Sequence, residues 1–209
     1  MKNSFRILAL AAVAAPAVFL TGCATGVQNP SGVPVTEMKA DERGFVAGTG
    51  VESQDLVAVT DKMARGVLGI PEIASAKVAP RIVLDPVVNE TRFPINKDIF
   101  LTRIRSQLNE KSMGKVRFLD REMMKTLERE RDLKRSGQVT ASSEPNVVEF
   151  RGADYFLTGK LQGLTTKSSQ GTSDYILYSF RLTDARTSEI VWESSSEIKK
   201  QGLEDAAYR

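Results

Sequence analysis

The alternation of apolar and polar residues predicts a folded region that begins near residue 53. Ser53 can cap a helix, apolar residues follow it at helical spacing, and Gly69 and Pro71 end the segment. Residues 81–88 form a continuous apolar run of the kind found in a buried strand. Pro86 has no amide hydrogen to donate, so it predicts that the strand ends at an edge or a bulge.

A second helix and a second strand follow this run. Asn96 is a candidate helix cap, Gly114 lies after the end of the helix, and residues 115–119 read as a short strand. A strand, a helix and a strand of these lengths predict a right-handed β-α-β unit with parallel strands.

A third helix is predicted to begin at the capping residue Asp120. Its charge-rich part, residues 128–135, is expected to be a solvated helix face. Met123 and Met124 of this helix are expected to be core residues.

The last third of the chain reads as strands. Residues 153–164, 175–183 and 189–198 alternate between two faces with a period of two. Tyr178 and Trp192 are expected to pack on the sheet. Together the elements predict an α/β fold of the α+β kind: a small mixed sheet of four to five strands covered by three helices.

The first two dozen residues have the features of an exported lipoprotein. An apolar run over residues 7–19 follows two basic residues and is too short to span a bilayer. Leu20-Thr21-Gly22-Cys23 resembles the lipobox of bacterial lipoproteins. We therefore expect residues 1–22 to be a signal peptide and Cys23 to be the lipid attachment site, with an anchor of several acyl chains.

The position of the anchor and the boundaries of the domain follow from the same reading. Ala24 stands where related lipoproteins carry Asp when they stay in the inner membrane, so we expect the outer membrane, facing the periplasm. Residues 23–52 are rich in glycine and poor in large apolar residues, which predicts a flexible tether. Residues 53–209 are expected to form one globular periplasmic domain.

Composition argues against catalysis. The chain has no His and one Cys, which rules out His-based catalytic and metal sites and, once Cys23 is acylated, thiolate chemistry. Asp85 and Asp154 are the only carboxylates that we considered for catalysis, and neither has an evident partner in sequence. We expect no enzyme activity, no cofactor, no metal and no small-molecule substrate. The net charge of +3, two units of which lie in the signal peptide, gives no reason to expect nucleic acid.

The polar loop after the first strand is the candidate partner interface. Asn89 and Thr91 have two readings: an Asx or Ser/Thr turn that holds the strand end, or part of an interface loop with Arg92 and Phe93. The sequence leaves both readings open.

With these elements in order, the chain resembles the LpoB family of lipoproteins that activate penicillin-binding proteins. Its resemblance is carried by three segments: residues 55–68, residues 83–91 (Val-Leu-Asp-Pro-Val-Val-Asn-Glu-Thr), and residues 152–157 followed by Thr187-Ser188-Glu189-Ile190-Val191-Trp192. At position 188 the chain has Ser where the family usually has Gly.

The resemblance implies both a fold and a function. The expected fold is similar to the N-terminal domain of TolB and to the curli-secretion (CsgG-like) lipoproteins. The expected function is to bind and stimulate a class A penicillin-binding protein, which is a peptidoglycan synthase. The alternative is an outer-membrane secretion or assembly lipoprotein of the curli-secretion type.

Overall fold

The structure is a computed structural model that describes residues 35–140 and 149–203. The described residues from Met38 onward belong to one compact unit. The signal peptide, Cys23 and the first part of the predicted tether, residues 23–34, lie outside the described residues.

The described residues form four helices and six strands. The first seven elements mix helices and short strands, and the last three are long strands. The helices are α1 (Ser53–Gly69), α2 (Pro71–Ala74), α3 (Asp98–Ser112) and α4 (Met124–Arg135). The strands are β1 (Arg81–Leu84), β2 (Val88–Glu90), β3 (Arg117–Phe118), β4 (Tyr155–Ser168), β5 (Gly171–Asp184) and β6 (Ile190–Gly202).

The strands form one mixed sheet in the order β3-β1-β4-β5-β6. β1 is parallel to β3 and β4, whereas β4, β5 and β6 form an antiparallel meander. The parallel β1-α3-β3 unit and the α+β class are therefore confirmed.

Pro86 explains why the predicted first strand appears as two. β1 pairs with Tyr155–Leu157 of β4, and β2 pairs with Lys160–Gln162 further along the same edge. Because proline cannot donate to the ladder, pairing is interrupted between Leu84 and Val88. The two short strands occupy one position in the sheet, so six strands fill five positions.

The core lies between one face of the sheet and helices α1 and α3. Along β5 the side chains that are buried alternate with half-buried ones, as the period of two requires. Tyr178 is fully buried, as predicted, and its ring lies 6.1 Å from that of Phe100 on α3. Trp192 is partly buried and packs against the core.

Helix α4 differs from its prediction. None of its residues is buried, and Met123 and Leu127 remain more than two-fifths exposed. The expectation that Met123 and Met124 are core residues is wrong. The charged residues over 128–135 are exposed or half-buried, as expected. Burying this helix would remove its charged side chains from water, and that would cost more free energy than burial of its few apolar side chains would provide.

The start of α1 also differs in detail. Ser53 is the first helical residue rather than the cap, and Glu52 precedes it as the cap. The backbone N–H of Glu52 donates to Oδ2 of Asp55 at 2.9 Å, which is one half of a capping box. Asp55 is itself buried and receives a hydrogen bond from Lys200 of β6.

A close contact between α1 and β6 explains why α1 contains a glycine. A Cβ atom at Gly66 would lie 2.8 Å from Cζ2 of Trp192. We expect Gly66→Ala to lower the free energy of unfolding by about 1–2 kcal/mol through overpacking, despite the better helix propensity of alanine. Urea unfolding followed by circular dichroism measures the change.

The matched control for this prediction is Gly69→Ala. A Cβ atom at Gly69 has no neighbour within 4 Å among the described residues. We expect its stability to be unchanged or slightly raised. An equal increase in the free energy of unfolding in Gly66→Ala and Gly69→Ala would contradict the packing of α1 against Trp192.

Candidate partner-binding surface

The loop after β2 is a hydrogen-bonded turn. The backbone N–H and the hydroxyl of Thr91 both donate to Oδ1 of Asn89, at 3.0 and 2.7 Å. Nδ2 of Asn89 donates to the carbonyl of Phe93 at 2.8 Å. The turn therefore closes on the Asn89 side chain, as one of the two readings of this loop requires.

Strand register shows which way the predicted interface residues point. Asn89 is opposite Leu161, whose side chain is fully buried on the helix-covered face. A Cβ atom at Gly163 would lie 3.2 Å from Cβ of Thr91, so the loop lies directly over β4. Phe93 is buried in the core. Interface contacts by these residues stay a prediction.

Arg92 joins the loop to a buried carboxylate. Its Nε and Nη2 atoms donate to the two carboxylate oxygens of Asp174, at 2.9 and 2.6 Å, in a bidentate ion pair. The Arg92 guanidinium also lies 4.3 Å from the centroid of the Phe93 ring. The hydroxyl of Thr165 donates to Oδ1 of Asp174 at 2.6 Å.

This network determines the protonation state of Asp174, whose side chain is 2% exposed. Burial alone would raise the pKa of Asp174. Hydrogen bonds from Arg92, Thr165 and Thr49, together with the charge of Arg92, outweigh it and lower the pKa to about 2. Asp174 is therefore ionised near neutral pH, and the loop is held by a full charge pair.

Two hydrogen bonds fix the segment before α1 to the domain. Thr49 is buried and receives a hydrogen bond from Nη2 of Arg92 at 3.3 Å. The carbonyl of Gly50 accepts one from Nζ of Lys200 at 2.9 Å. The chain is thus fixed to the domain at Thr49 and Gly50, before the first helix begins.

The face of the sheet that is turned away from α1 and α3 is open and polar over β2 and the neighbouring parts of β4 and β5. Its side chains alternate with the buried ones, so Thr158, Lys160 and Gln162 of β4 lie beside Ser179 and Arg181 of β5. Val88 and Glu90 of β2 continue this face. A depression of about 430 Å³ lies here, bordered by Asp85 and Glu193 at its two sides.

Charged pairs order this open face. Nζ of Lys160 lies 2.8 Å from Oε1 of Glu90, and Nε2 of Gln162 donates to Oε2 of Glu90 at 3.1 Å. The hydrogen bond from Lys160 is the main cause that lowers the pKa of Glu90. Arg181 is opposite Glu193 in register. Exposed pairs of this kind add little stability but present fixed charges to a partner.

Glu90, Lys160 and Asp174 were not predicted as functional residues from the sequence. The direction of Glu90 follows in part from the strand period, because alternate residues of Val88-Asn89-Glu90 face opposite sides of the sheet. Asp174 falls at an inward position of β5, two residues before the buried Ile176, and a buried carboxylate needs a cation nearby. The cation, Arg92, is remote in sequence.

The two carboxylates considered for catalysis have structural surroundings. Oδ2 of Asp154 accepts a hydrogen bond from the backbone N–H of Arg81 at 2.7 Å, and Asp85 borders the open face. Within residues 35–140 and 149–203 no cluster of three or more His, Cys, Asp or Glu side chains could hold a metal ion. In the same residues no helix is long and apolar enough to cross a membrane.

Comparison with protein-family models gives the class of the protein. The model of the peptidoglycan-synthase activator LpoB matches residues 55–198, from the third residue of α1 to the ninth residue of β6. The chain belongs to the LpoB family. The family is one of regulators of peptidoglycan synthases, so a synthase is its partner in general.

The chain is also similar to solved structures, two of which are LpoB domains. The C-terminal domain of LpoB from Escherichia coli is 16% identical, with a TM-score of 0.41, over 70% of this chain and 99% of that one. The corresponding domain from Salmonella enterica is 12% identical, with a TM-score of 0.42 and the same coverage. A lipoprotein of Neisseria meningitidis, GNA1162, is 19% identical over 58% of this chain and 83% of that one, with a TM-score of 0.37. Comparison with curated protein sequences found no match.

Proposed function

We propose that this protein is an outer-membrane lipoprotein that binds and activates a class A penicillin-binding protein and has no chemistry of its own. The observation that carries the proposal is the match to the activator family over residues 55–198. The absence of His from the chain fits a regulatory role, because it leaves no base for the usual nucleophilic sites. A curli-secretion role has no corresponding support.

The open sheet face is the proposed contact surface. Its fixed charges, centred on Lys160 and Glu90, can attract a partner that carries complementary charges and fix the orientation in which that partner binds. Asn89, Thr91, Arg92 and Phe93 lie at the end of β2 and in the loop after it, and their hydrogen bonds and packing hold the strand end on which Glu90 lies. Activation then requires tighter binding to the active state of the synthase than to its resting state.

The anchor sets how far the domain reaches. With Cys23 acylated and Thr49 fixed to the domain, 26 residues connect the membrane to the fold, an extended span of at most about 90 Å. The proposed synthase must therefore present its binding site within that distance of the outer membrane.

The anchor has a direct test. In cells that produce Cys23→Ser protein, we expect the protein in the soluble periplasmic fraction rather than in the outer-membrane fraction of a density gradient. Unchanged sedimentation with the outer membrane would exclude the thioether anchor.

Binding to the synthase is tested by titrating the purified chain against the periplasmic portion of each class A penicillin-binding protein of the same cell. We expect saturable one-to-one binding to at least one of them. A charged interface predicts an association rate that falls as salt rises from low to physiological concentration. Failure to bind any class A enzyme would refute the proposal.

A further inference from the structure

A depression at the carboxyl ends of β1 and β3 is not used by the proposed partner surface. It has a volume of about 230 Å³ and is bordered by Leu84, Phe118 and Leu119 at the strand ends, and by Arg105 and Asn109 of α3. Arg121 completes it. The carboxyl ends of parallel strands are a recurrent position for ligand sites in α/β sheets.

The hydrogen-bond donors of this depression are two guanidinium groups, Arg105 and Arg121, and the side amide of Asn109. Arg121 is held in place, since its Nη2 donates to the carbonyl of Arg151 at 3.2 Å and its Nη1 lies 3.5 Å from Sδ of Met124. Arg105 makes no side-chain hydrogen bond or ion pair with any other described residue. Two guanidinium groups with one side amide suit a carboxylate, which arginine binds in a bidentate manner.

Two carboxylates, Asp120 and Glu122, also border the depression, and they balance the formal charge of its two guanidinium groups. Oδ1 of Asp120 accepts hydrogen bonds from the backbone N–H groups of Glu122 and Met123, both at 3.1 Å, so it caps the turn before α4. Glu122 is exposed at the rim. The aliphatic and aromatic wall formed by Leu84 and Phe118 suits small apolar groups beside the carboxylate.

Charge along the chain supports an acidic ligand independently. Residues 97–135, which include α3, β3 and α4, hold twelve Lys and Arg against seven Asp and Glu, a net charge of +5. The whole chain carries +3, so all other residues together carry −2. A basic segment within an otherwise slightly acidic chain attracts and concentrates anions at this side of the domain.

We infer that this depression binds a short acidic peptide with small apolar side chains, which is the chemistry of the stem peptides of peptidoglycan. One stem carboxylate lies between Arg105 and Arg121, and an alanine methyl group lies against Leu84 and Phe118. The contact is with the polymer rather than with the enzyme that makes it, and it does not depend on binding to a synthase.

The test is a titration of the full chain with a soluble disaccharide-tetrapeptide, followed by amide chemical shifts. We expect weak saturable binding with shifts centred on Arg105 and Arg121. Arg105→Gln and Arg121→Gln should each weaken binding about tenfold, the loss of one charged hydrogen-bond pair. A disaccharide-tetrapeptide with amidated carboxyl groups should bind at least about tenfold more weakly.

Arg129→Gln is the matched control, because Arg129 is an exposed residue of the same basic segment outside the depression. We expect it to change the affinity less than about twofold. Equal losses of affinity in Arg129→Gln and Arg105→Gln would show that the attraction is diffuse and would overturn the proposed site. Equal affinity for the amidated and the unmodified disaccharide-tetrapeptide would overturn it as well. Binding to vesicles of anionic phospholipid without binding to the disaccharide-tetrapeptide would also overturn it. Synthase binding measured with Arg105→Gln should be unchanged, which separates this inference from the proposed function.

Discussion

Asp174→Asn is expected to lower the free energy of unfolding by about 3 kcal/mol. The substitution removes the charge that Arg92 pairs with, and it leaves the guanidinium partly buried without its counterion. It also weakens the hold on Thr49 and on the loop over β4, because Arg92 connects all three. Urea unfolding followed by circular dichroism measures the loss.

The same pair predicts a pH dependence. The pKa of Asp174 is lowered from 3.8 to about 2 in the fold, so its ionised form stabilises the folded state above pH 4. This contribution is lost progressively as pH falls from about 4 to about 2. The stability difference between the wild-type chain and Asp174→Asn should therefore shrink over that range.

Asp132→Asn is the control for this effect. Asp132 lies 3.3 Å from Arg135, but both side chains are well exposed, so the pair should contribute less than about 1 kcal/mol. A comparable loss in both variants, or a difference for Asp174→Asn that does not change with pH, would contradict the buried charge pair.

Lys160→Glu is expected to weaken binding to the synthase at least about thirtyfold, the effect of about 2 kcal/mol at a charged contact. Lys160 lies near the middle of the open sheet face, and the change places two acidic groups side by side at Glu90. Binding is measured by titration against the class A enzyme that binds the wild-type chain.

Two variants separate a binding effect from a folding effect. Glu90→Lys combined with Lys160→Glu restores the local ion pair, so it should recover stability but not binding. Lys77→Glu makes the same charge change at an exposed residue before β1, away from the open face, and should bind normally. Equal binding by Lys160→Glu and Lys77→Glu would exclude the open face as the contact surface.

Much of the fold could be predicted from residues 81–119, because local signals there agree with the tertiary structure. The apolar run with Pro86, the capped helix and the short strand are found as the β1-α3-β3 unit. Local pattern failed at α4, where helical spacing of apolar residues predicted burial. Periodicity reports which side of a helix is apolar, and it does not report whether another element lies against that side.

The candidate surface could be predicted only in part. The turn at Asn89 and Thr91 follows from local chemistry, since an Asx side chain bonds the backbone two residues away. The partner of Arg92 is 82 residues distant and comes into contact only through the register of β4 and β5. The direction in which Glu90 points depends on which face of the sheet the helices cover.

The backbone conformation of Ser188 also could not be predicted from the sequence, although the position was noted as a departure from the family. The structure places it in the left-handed region, at a φ of 64°, at the turn between β5 and β6. Glycine adopts this conformation without strain, so the Gly that the family resemblance implies at this position would suit the same turn. The backbone N–H of Ser188 donates to the carbonyl of Asp184 at 3.0 Å, which closes the turn.

The rate of glycan polymerisation by the cognate class A penicillin-binding protein, measured with and without this chain, tests the central claim most directly. The account predicts a rate that rises with the concentration of the wild-type chain and saturates at one equivalent. Lys77→Glu should give the same increase, and Lys160→Glu should require a much higher concentration. A rate that is unaffected by saturating chain, for every class A enzyme of the cell, would contradict the account.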